Sequence, residues 1–323
     1  MFTIVLCLVS AAGLAAAATA ALGVGDRAIV LNQSQAACGR PKPRALRLGD
    51  HHYVRTVGGR SYQLFVPRSY RPSHATALVL DFHYFQGLPA IEEEVNGFET
   101  VAAKAGFVLA RPQASPTRGE SWVGFSGNSD VAYIRTVLAN IPTAVCIDPA
   151  RIYAAGMSQG GALATLLTCR LPDTFAAVAS VAMLDHPFGC QPSPTPIIAF
   201  AGRADTLYRI DAGVDPSTFQ IVEPGAPPDA RPGPLASEAA AWAITNHCDP
   251  TPTVTHQGSG LEQRTYPCPS SSPTIIYVHS GGHVWPGPWL TPAEAATLQL
   301  GPTSTEIDAT WTIWRFFQQH RKQ

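Results

Sequence analysis

The chain has 323 residues, a formal net charge of −1 and only 14% charged residues. A charge so close to zero gives no electrostatic basis for binding nucleic acid or an anionic membrane, so we expect neither partner. The length is sufficient for a sizeable core in one α/β domain. The 29 prolines and 27 glycines favour a loop-rich fold over a helical bundle.

An apolar segment opens the chain and continues into an alanine-rich stretch. Residues 18–20 supply the small side chains of a signal-peptidase site, although no Lys or Arg precedes the apolar part. The alternative is a membrane anchor, but the alanine-rich stretch is weakly hydrophobic and lacks a basic flank. The sequence therefore predicts a signal peptide at 1–20, a single folded domain at 21–323 and a secreted, extracellular protein.

The predicted elements alternate between strands and helices. Gly58 and Gly59 separate the first two strands and indicate a hairpin turn. Residues 213–235, rich in Pro, Gly and Asp, indicate a surface excursion. This alternation predicts a mostly parallel sheet with helices on both faces, opened by an antiparallel N-terminal hairpin. Strands are predicted at 53–57, 61–66, 77–82, 107–110, 151–155, 176–181, 197–200 and 274–278, and helices at 89–105, 131–138, 162–167, 236–247 and 306–318.

The most informative stretch spells G-x-S-x-G from Gly156 to Gly160, with Ser158 at its centre. A buried strand is predicted before it and a helix after it. This context is typical of a nucleophile elbow, in which a strained turn raises the serine hydroxyl above the sheet edge. The motif also occurs in ordinary glycine-rich turns, so a catalytic Ser158 requires partners elsewhere in the chain.

A serine nucleophile needs a base to accept its proton and a carboxylate to orient that base. In such folds the order along the chain is Ser, acid, His, from loops at the carboxyl ends of strands. Asp205 follows the strand at 197–200, and His283 follows the last strand. Asp185, after the preceding strand, is the alternative acid, and His279, at the end of its own strand, is the alternative base.

Acyl transfer also needs hydrogen-bond donors for the developing oxyanion. The backbone N–H of Gln159, directly after the serine, is one candidate donor. The backbone of Tyr84 or Phe85, in the loop after the strand at 77–82, is the other. His83 in the same loop is a candidate substrate contact, and its alternative role is to position the loop.

The cysteines predict a disulfide framework. Cys248 and Cys268 flank one polar segment, and we expect them to pair. Pairing of Cys146 with Cys169 would leave Cys38 with Cys190, although other connectivities stay open. The even number predicts up to three disulfides, and the lack of a C-x-x-C pair argues against a metal site. Beyond the predicted signal peptide the cysteines are Cys38, Cys146, Cys169, Cys190, Cys248 and Cys268.

Taken together, these segments resemble secreted α/β-hydrolase esterases, a group that includes feruloyl esterases, acetylxylan esterases and polyhydroxybutyrate depolymerase-like proteins. The likeness spans nearly the whole chain after the signal peptide. It implies an α/β-hydrolase fold in which Ser158, Asp205 and His283 form the triad. One departure is the loop His83-Tyr84-Phe85-Gln86, where the family usually has His-Gly followed by small residues. The matching segments are 60–67, 146–153, 156–161, 175–179, 202–205, 242–248, 281–287 and 307–310.

The resemblance implies a serine carboxylesterase that acts on feruloyl or related esters of plant cell-wall polysaccharide. Alternatives are a short-chain polyhydroxybutyrate depolymerase or an acetylxylan esterase. A catalytically silent hydrolase-fold binding protein is an alternative of another class, motivated by the crowded 83–86 loop. Trp285 and Trp122 are candidate aromatic surfaces for the substrate, although core packing is the commoner role of tryptophan. We expect a monomer with a polymer-derived or polysaccharide-linked ester as its partner, and no cofactor or metal.

Overall fold

A computed structural model gives the fold of residues 37–56, 59–122, 128–187, 190–214, 221–222, 234–258, 260–269 and 271–322. The predicted signal peptide lies outside these described residues, as does most of the predicted excursion at 213–235. No helix within the described ranges is both long and apolar enough to cross a bilayer.

In the described part of the chain, ten strands form one sheet in the order β1-β2-β4-β3-β5-β6-β7-β12-β11-β10. The six strands from β4 to β12 in this order run parallel, and antiparallel pairs close both ends. The strands β8 and β9 form a separate short pair. The bounds are β1 (His51–Arg55), β2 (Ser61–Phe65), β3 (Thr76–Phe82), β4 (Val108–Pro112), β5 (Ile147–Met157), β6 (Ala177–Val181), β7 (Ile197–Gly202), β8 (Gly213–Val214), β9 (Ile221–Val222), β10 (Thr253–Gln257), β11 (Leu261–Tyr266) and β12 (Thr274–His279).

Helices cover both faces of this sheet, which explains why its central strands are apolar on both sides. Val131, Leu163 and Trp242 of α3, α4 and α5 contribute to the core on one face. Val101 and Phe317 of α2 and α7 contribute to the core on the other. The helices are α1 (Glu92–Asn96), α2 (Phe98–Ala105), α3 (Asn128–Asn140), α4 (Gln159–Arg170), α5 (Leu235–Thr245), α6 (Pro292–Thr297) and α7 (Ala309–Gln318).

The α/β-hydrolase fold class is confirmed, with its mostly parallel sheet and N-terminal hairpin. The helix predicted at 89–105 is two helices, because Gly97 takes φ 63° and breaks the chain direction between α1 and α2. The strands β10 and β11 were missed. All five residues of β10 are exposed, so this strand carries none of the apolar pattern that identifies a buried strand.

Three disulfides join the six described cysteines, and the predicted Cys248–Cys268 bond is confirmed. The predicted pairs Cys146–Cys169 and Cys38–Cys190 are wrong. The structure joins Cys38 to Cys146 and Cys169 to Cys190.

The correct pairs follow from which segments lie together at the amino edge of the sheet. The N–H of Ala37 donates to the carbonyl of Pro142 at 2.9 Å, which brings the N-terminal segment beside the start of β5. The N–H of Ser193 donates to the carbonyl of Thr168 at 3.4 Å, which brings the loop after β6 against the end of α4. Sequence spacing does not encode either contact, because each involves an irregular segment whose path depends on the tertiary fold.

Candidate active site

The predicted elbow forms at the junction between β5 and α4. Ser158 has φ 53° and ψ −121°, a combination that L-residues rarely adopt and that costs about 1–3 kcal/mol. Its N–H donates to the carbonyl of Val181 at 2.7 Å, and its own carbonyl accepts from the N–H of Ala162 at 3.0 Å. The strained residue is therefore held by β6 on one side and by the first turn of α4 on the other.

Gly160 lets the elbow pack directly on the end of β3. A Cβ at this position would collide with the carbonyl oxygens of Phe82 and His83. A side chain would therefore push α4 away from the loop that follows β3. The absence of a side chain allows the first turn of α4 to lie directly against the start of the 83–87 loop.

The predicted acid and base are in contact. The Nδ1–H of His283 donates to Oδ2 of Asp205 at 2.7 Å, and both side chains are buried. Oδ1 of Asp205 accepts from the backbone N–H groups of Leu207 and Tyr208 at 2.8 and 2.7 Å. Both carboxylate oxygens therefore have donors, and His283 is held in the tautomer that leaves Nε2 to accept a proton.

Backbone contacts hold the loops that carry these two side chains together. Gly202 lies where a Cβ would collide with the carbonyl oxygens of Gly281 and Gly282. The N–H of Ala204 donates to the carbonyl of Gly281 at 3.0 Å, and that of His283 donates to Leu300 at 2.7 Å. The approach of Asp205 to His283 thus depends on close packing of main chain on main chain.

The alternative acid and base have other partners. Asp185 is buried after β6, where its carbonyl accepts from the indole N–H of Trp242 at 3.0 Å. His279 is buried at the end of β12, and its Nδ1 accepts from the N–H of Gly281 at 3.1 Å. The carboxylate–imidazole hydrogen bond at the carboxyl edge is that between Asp205 and His283, so the geometry favours this pair.

The loop after β3 forms a tight turn. The N–H of Gly87 donates to the carbonyl of Tyr84 at 2.9 Å and closes a turn in which Gln86 has φ 59°. Tyr84 is half-buried and packs against the core, whereas Phe85 is 39% exposed. The crowded sequence of this loop therefore forms an ordered turn beside the elbow.

His83 positions this loop. Its Nε2 accepts from the N–H of Ala114 at 3.1 Å, so the ring proton lies on Nδ1, which donates to the carbonyl of Tyr84 at 2.7 Å. Burial lowers the pKa of His83 from 6.5 to about 4. Both ring nitrogens are bonded to the main chain and the ring is buried, which supports the positioning role over a substrate contact.

Trp122 and Trp285 require a correction, because the structure buries both rings in the core. The indole N–H of Trp122 donates to the carbonyl of His83 at 2.8 Å, and its backbone N–H donates to Oε1 of Gln159 at 2.9 Å. The indole N–H of Trp285 donates to Thr310 at 2.8 Å. Neither ring is available as an open surface, and Trp122 instead joins the two segments that carry the candidate oxyanion donors.

A residue that the sequence did not single out anchors the acid loop. Tyr208 is buried against Ala162 and Met183, next to the elbow, and its hydroxyl donates to the carbonyl of Leu184 at 2.8 Å. The residue before it, Leu207, is 50% exposed. An aromatic residue three positions after the candidate acid was the available signal, but its contact with α4 depends on the tertiary fold.

Comparison with known proteins gives the family. The sequence profile of the family Esterase PHB depolymerase matches residues 100–243. A probable feruloyl esterase C of Aspergillus clavatus is 30% identical over 265 residues, covering 80% of this chain and 84% of the relative. The chain belongs to this esterase family. It is a serine carboxylic ester hydrolase.

Two further comparisons agree with this assignment. The putative esterase NocK of Nocardia uniformis is 29% identical over 254 residues, which cover 72% of this esterase and 73% of NocK. The solved structure of an acetyl xylan esterase from Aspergillus awamori matches with a TM-score of 0.53 at 16% identity, covering 73% of this esterase and 94% of that chain. At that identity the structural match supports the fold alone.

The arrangement contains groups of the kinds that acyl transfer uses. A strained serine, a carboxylate-bonded imidazole and a backbone N–H directly after the serine lie at the carboxyl edge of one parallel sheet. In the ranges that the structure describes, no group of three or more His, Cys, Asp or Glu side chains is arranged to hold a metal.

We predict that two buried histidines make the esterase less stable in acid. Burial lowers the pKa of His83 and of His279 from 6.5 to about 4, so the native state does not take up protons that the unfolded state binds below pH 6.5. The free energy of unfolding should therefore fall between about pH 6.5 and 4, by up to about 3 kcal/mol per histidine.

Urea unfolding of wild type and His279→Gln across this pH range measures the effect. The variant should show a smaller dependence of unfolding free energy on pH, whatever its stability at pH 7. An identical slope in the two proteins would contradict the prediction for His279.

Proposed function

We propose that this esterase is a secreted enzyme that cleaves feruloyl or related esters of plant cell-wall polysaccharide through a triad of Ser158, His283 and Asp205. The observation that carries the triad is the 2.7 Å hydrogen bond from His283 to Asp205, with both residues on loops that follow strands of the sheet edge bearing the strained Ser158. The three disulfides are typical of an oxidising compartment and support secretion.

In this mechanism Nε2 of His283 accepts the proton of Ser158 as Oγ attacks the ester carbonyl carbon. Asp205 keeps the other ring nitrogen protonated and stabilises the imidazolium. The N–H of Gln159 and a main-chain N–H of Tyr84 or Phe85 stabilise the oxyanion. The imidazolium then protonates the leaving alcohol, and a water deprotonated by the same histidine hydrolyses the acyl-enzyme.

Two exposed apolar side chains support an apolar or aromatic acyl group. The four large apolar side chains found exposed among the described residues are Phe85, Leu207, Ile244 and Val254. Phe85 lies in the loop with the candidate oxyanion donors, and Leu207 lies two residues after the candidate acid. We call Phe85 and Leu207 the apolar rim.

The other two exposed side chains, Ile244 and Val254, lie on parts of the fold that do not carry the candidate site. Ile244 is near the end of α5, where the side chain of Asn246 accepts from the N–H of Thr195, just before β7. This contact places that end of the helix at the amino edge of the sheet. Val254 lies on the edge strand β10. The apolar rim is thus distinguished from them by its place at the carboxyl edge.

The comparisons also suggest two alternative ester substrates. The family profile is that of a PHB depolymerase esterase, and a structural relative is an acetyl xylan esterase. A short-chain polyester or an acetylated polysaccharide would use the same triad with a smaller acyl group. A catalytically silent fold is less well supported, because the strained serine and the bonded imidazole are both retained.

The triad predicts how single substitutions affect turnover. Ser158→Ala should lower kcat by about 10⁶, because it removes the nucleophile. Asp205→Asn should lower kcat by roughly 10²–10⁴, because an amide favours the wrong imidazole tautomer. Asp185→Asn is the matched control, since it removes a buried carboxylate outside the triad and should lower kcat much less.

Initial rates on 4-nitrophenyl acetate measure these effects, with circular dichroism as the check on folding. Severe loss in Asp185→Asn combined with mild loss in Asp205→Asn would show that the acid is Asp185.

The apolar rim predicts substrate preference. The value of kcat/KM for methyl ferulate should exceed that for a twelve-carbon nitrophenyl ester. Replacing Phe85 or Leu207 with Ser should reduce kcat/KM for methyl ferulate by about tenfold, as expected when roughly 1.4 kcal/mol of apolar contact is lost. The matched controls Ile244→Ser and Val254→Ser replace an exposed apolar side chain with serine outside the apolar rim. They should leave kcat/KM for methyl ferulate unchanged.

Parallel assays on methyl ferulate, acetylated xylan and polyhydroxybutyrate distinguish the alternatives. Activity confined to acetylated xylan, with no effect of the rim substitutions, would replace the feruloyl assignment with an acetyl esterase.

A further inference from the structure

One asparagine ties together the two ends of the loop that carries the candidate oxyanion donors. The loop comprises residues 83–91, between β3 and α1. Asp81, near the end of β3, accepts from Nδ2 of Asn96 through both carboxylate oxygens, at 3.1 and 3.0 Å. Glu92, at the start of α1, accepts from the same Nδ2 through Oε1 at 3.2 Å. We call these three side chains the Asn96 clamp.

Arg111, the cation near the Asn96 clamp, donates hydrogen bonds to groups other than Glu92. Arg111 of β4 donates through Nε to Asp81 at 3.0 Å and through Nη2 to Glu93 at 2.8 Å. Its remaining nitrogen donates to Gln63 at 3.3 Å. Glu92 is fully buried, and its Oε2 has no hydrogen-bond partner among the described residues. The clamp therefore contains a carboxyl group with no direct cationic partner.

The surroundings of Glu92 favour its protonated form over its ionised form. Burial, and then the neighbouring Asp81, raise the pKa of Glu92 well above 4.5, against the weaker opposing effects of Arg111 and Asn96. Burial, and then Glu92 and Glu94, raise the pKa of Tyr84 to about 12. The titratable and charged groups around it are Asp81 of β3, Tyr84 of the loop, Glu93 and Glu94 of α1, Glu99 of α2 and Arg111 of β4.

We propose that Glu92 is a positioning residue that acts as a neutral acid, holding the base of the 83–91 loop so that the main chain of Tyr84 and Phe85 can stabilise the oxyanion. This inference rests on the proposed triad mechanism and adds a residue that does not touch the substrate. The clamp joins the two ends of the loop through Asn96, and protonated Glu92 shares that amide with Asp81 without charge repulsion.

Loss of the Glu92 proton has two consequences for the loop. Two negative carboxylates then share one amide group, and their repulsion separates α1 from β3. A negative charge also arises next to the loop that carries the candidate oxyanion donors, where it interacts unfavourably with the negative charge that develops during the reaction. Both effects raise the barrier for acylation, so turnover falls when Glu92 ionises.

The test compares Glu92→Gln, which stays neutral at every pH, with wild type and with Glu94→Gln. Glu94 is an exposed carboxylate on the same helix, so Glu94→Gln makes the same chemical substitution outside the clamp. Wild type and Glu94→Gln should lose about tenfold in kcat for 4-nitrophenyl acetate towards the alkaline end of a pH 6–10 profile, equivalent to about 1.4 kcal/mol of barrier. Glu92→Gln should lose markedly less. Glu92→Ala, which removes the bridge, should lower kcat at all pH values more than it changes KM.

A second measurement is independent of ester turnover. An acid whose pKa is raised on folding makes the native state lose stability as the pH rises from the unfolded to the folded pKa. The unfolding free energy of Glu92→Gln minus that of wild type should therefore increase as the pH rises above about 4.5, and Glu94→Gln should show no such increase.

Each result bears on the proposal. Equal alkaline profiles for wild type and Glu92→Gln overturn the positioning role, and an unfolding difference that does not change with pH overturns the neutral acid. Failure of the underlying mechanism gives a different pattern, in which wild type has no turnover and does not react with a serine-directed phosphonate, while the unfolding difference still depends on pH.

Discussion

The candidate site depends on main chain packing against main chain at two glycines. At Gly160 the first turn of α4 lies directly on the end of β3, and at Gly202 the end of β7 lies on the loop after β12. A methyl group at either position would collide with carbonyl oxygens. These contacts bring the serine, the candidate oxyanion loop, the acid loop and the histidine loop to one edge of the sheet, which is where parallel α/β sheets place their ligands.

Buried hydrogen bonds then fix the side chains within this frame. Asp205 uses both carboxylate oxygens, Trp122 ties the side chain of Gln159 to the carbonyl of His83, and His83 itself bonds the main chain through both ring nitrogens. Such groups stabilise the fold only when all are paired, and they hold the candidate catalytic atoms in place before substrate binds. The rigidity of the site thus comes from polar groups in a core that is otherwise apolar.

The sequence predicted the fold class and the order of Ser158, Asp205 and His283, because these features are local. A tight turn needs small residues next to the serine, and each strand end is visible as the end of an apolar run. The hydrogen-bond partners of Trp122 and Trp285 and two of the disulfides were not predicted, because they depend on segments that meet only in the tertiary structure.

The buried ion pair of Asp81 and Arg111 can be recognised in the sequence. Each is a charged residue within a strand that is otherwise apolar, and charged residues in such strands need a buried partner. The sequence does not show which carboxylate pairs with the arginine. That choice depends on where α1 packs, and it leaves Glu92 as the acid without a direct cation.

The central claim is that Ser158, His283 and the main chain of the 83–87 loop converge on one ester carbonyl. A crystal structure of the esterase after reaction with a phosphonate tests this directly. We predict phosphorus bonded to Oγ of Ser158, and a phosphoryl oxygen about 2.7–3.1 Å from the nitrogen of Gln159 and from that of Tyr84 or Phe85. A phosphonate bonded to another residue, or a phosphoryl oxygen that turns away from the 83–87 loop, would contradict the account.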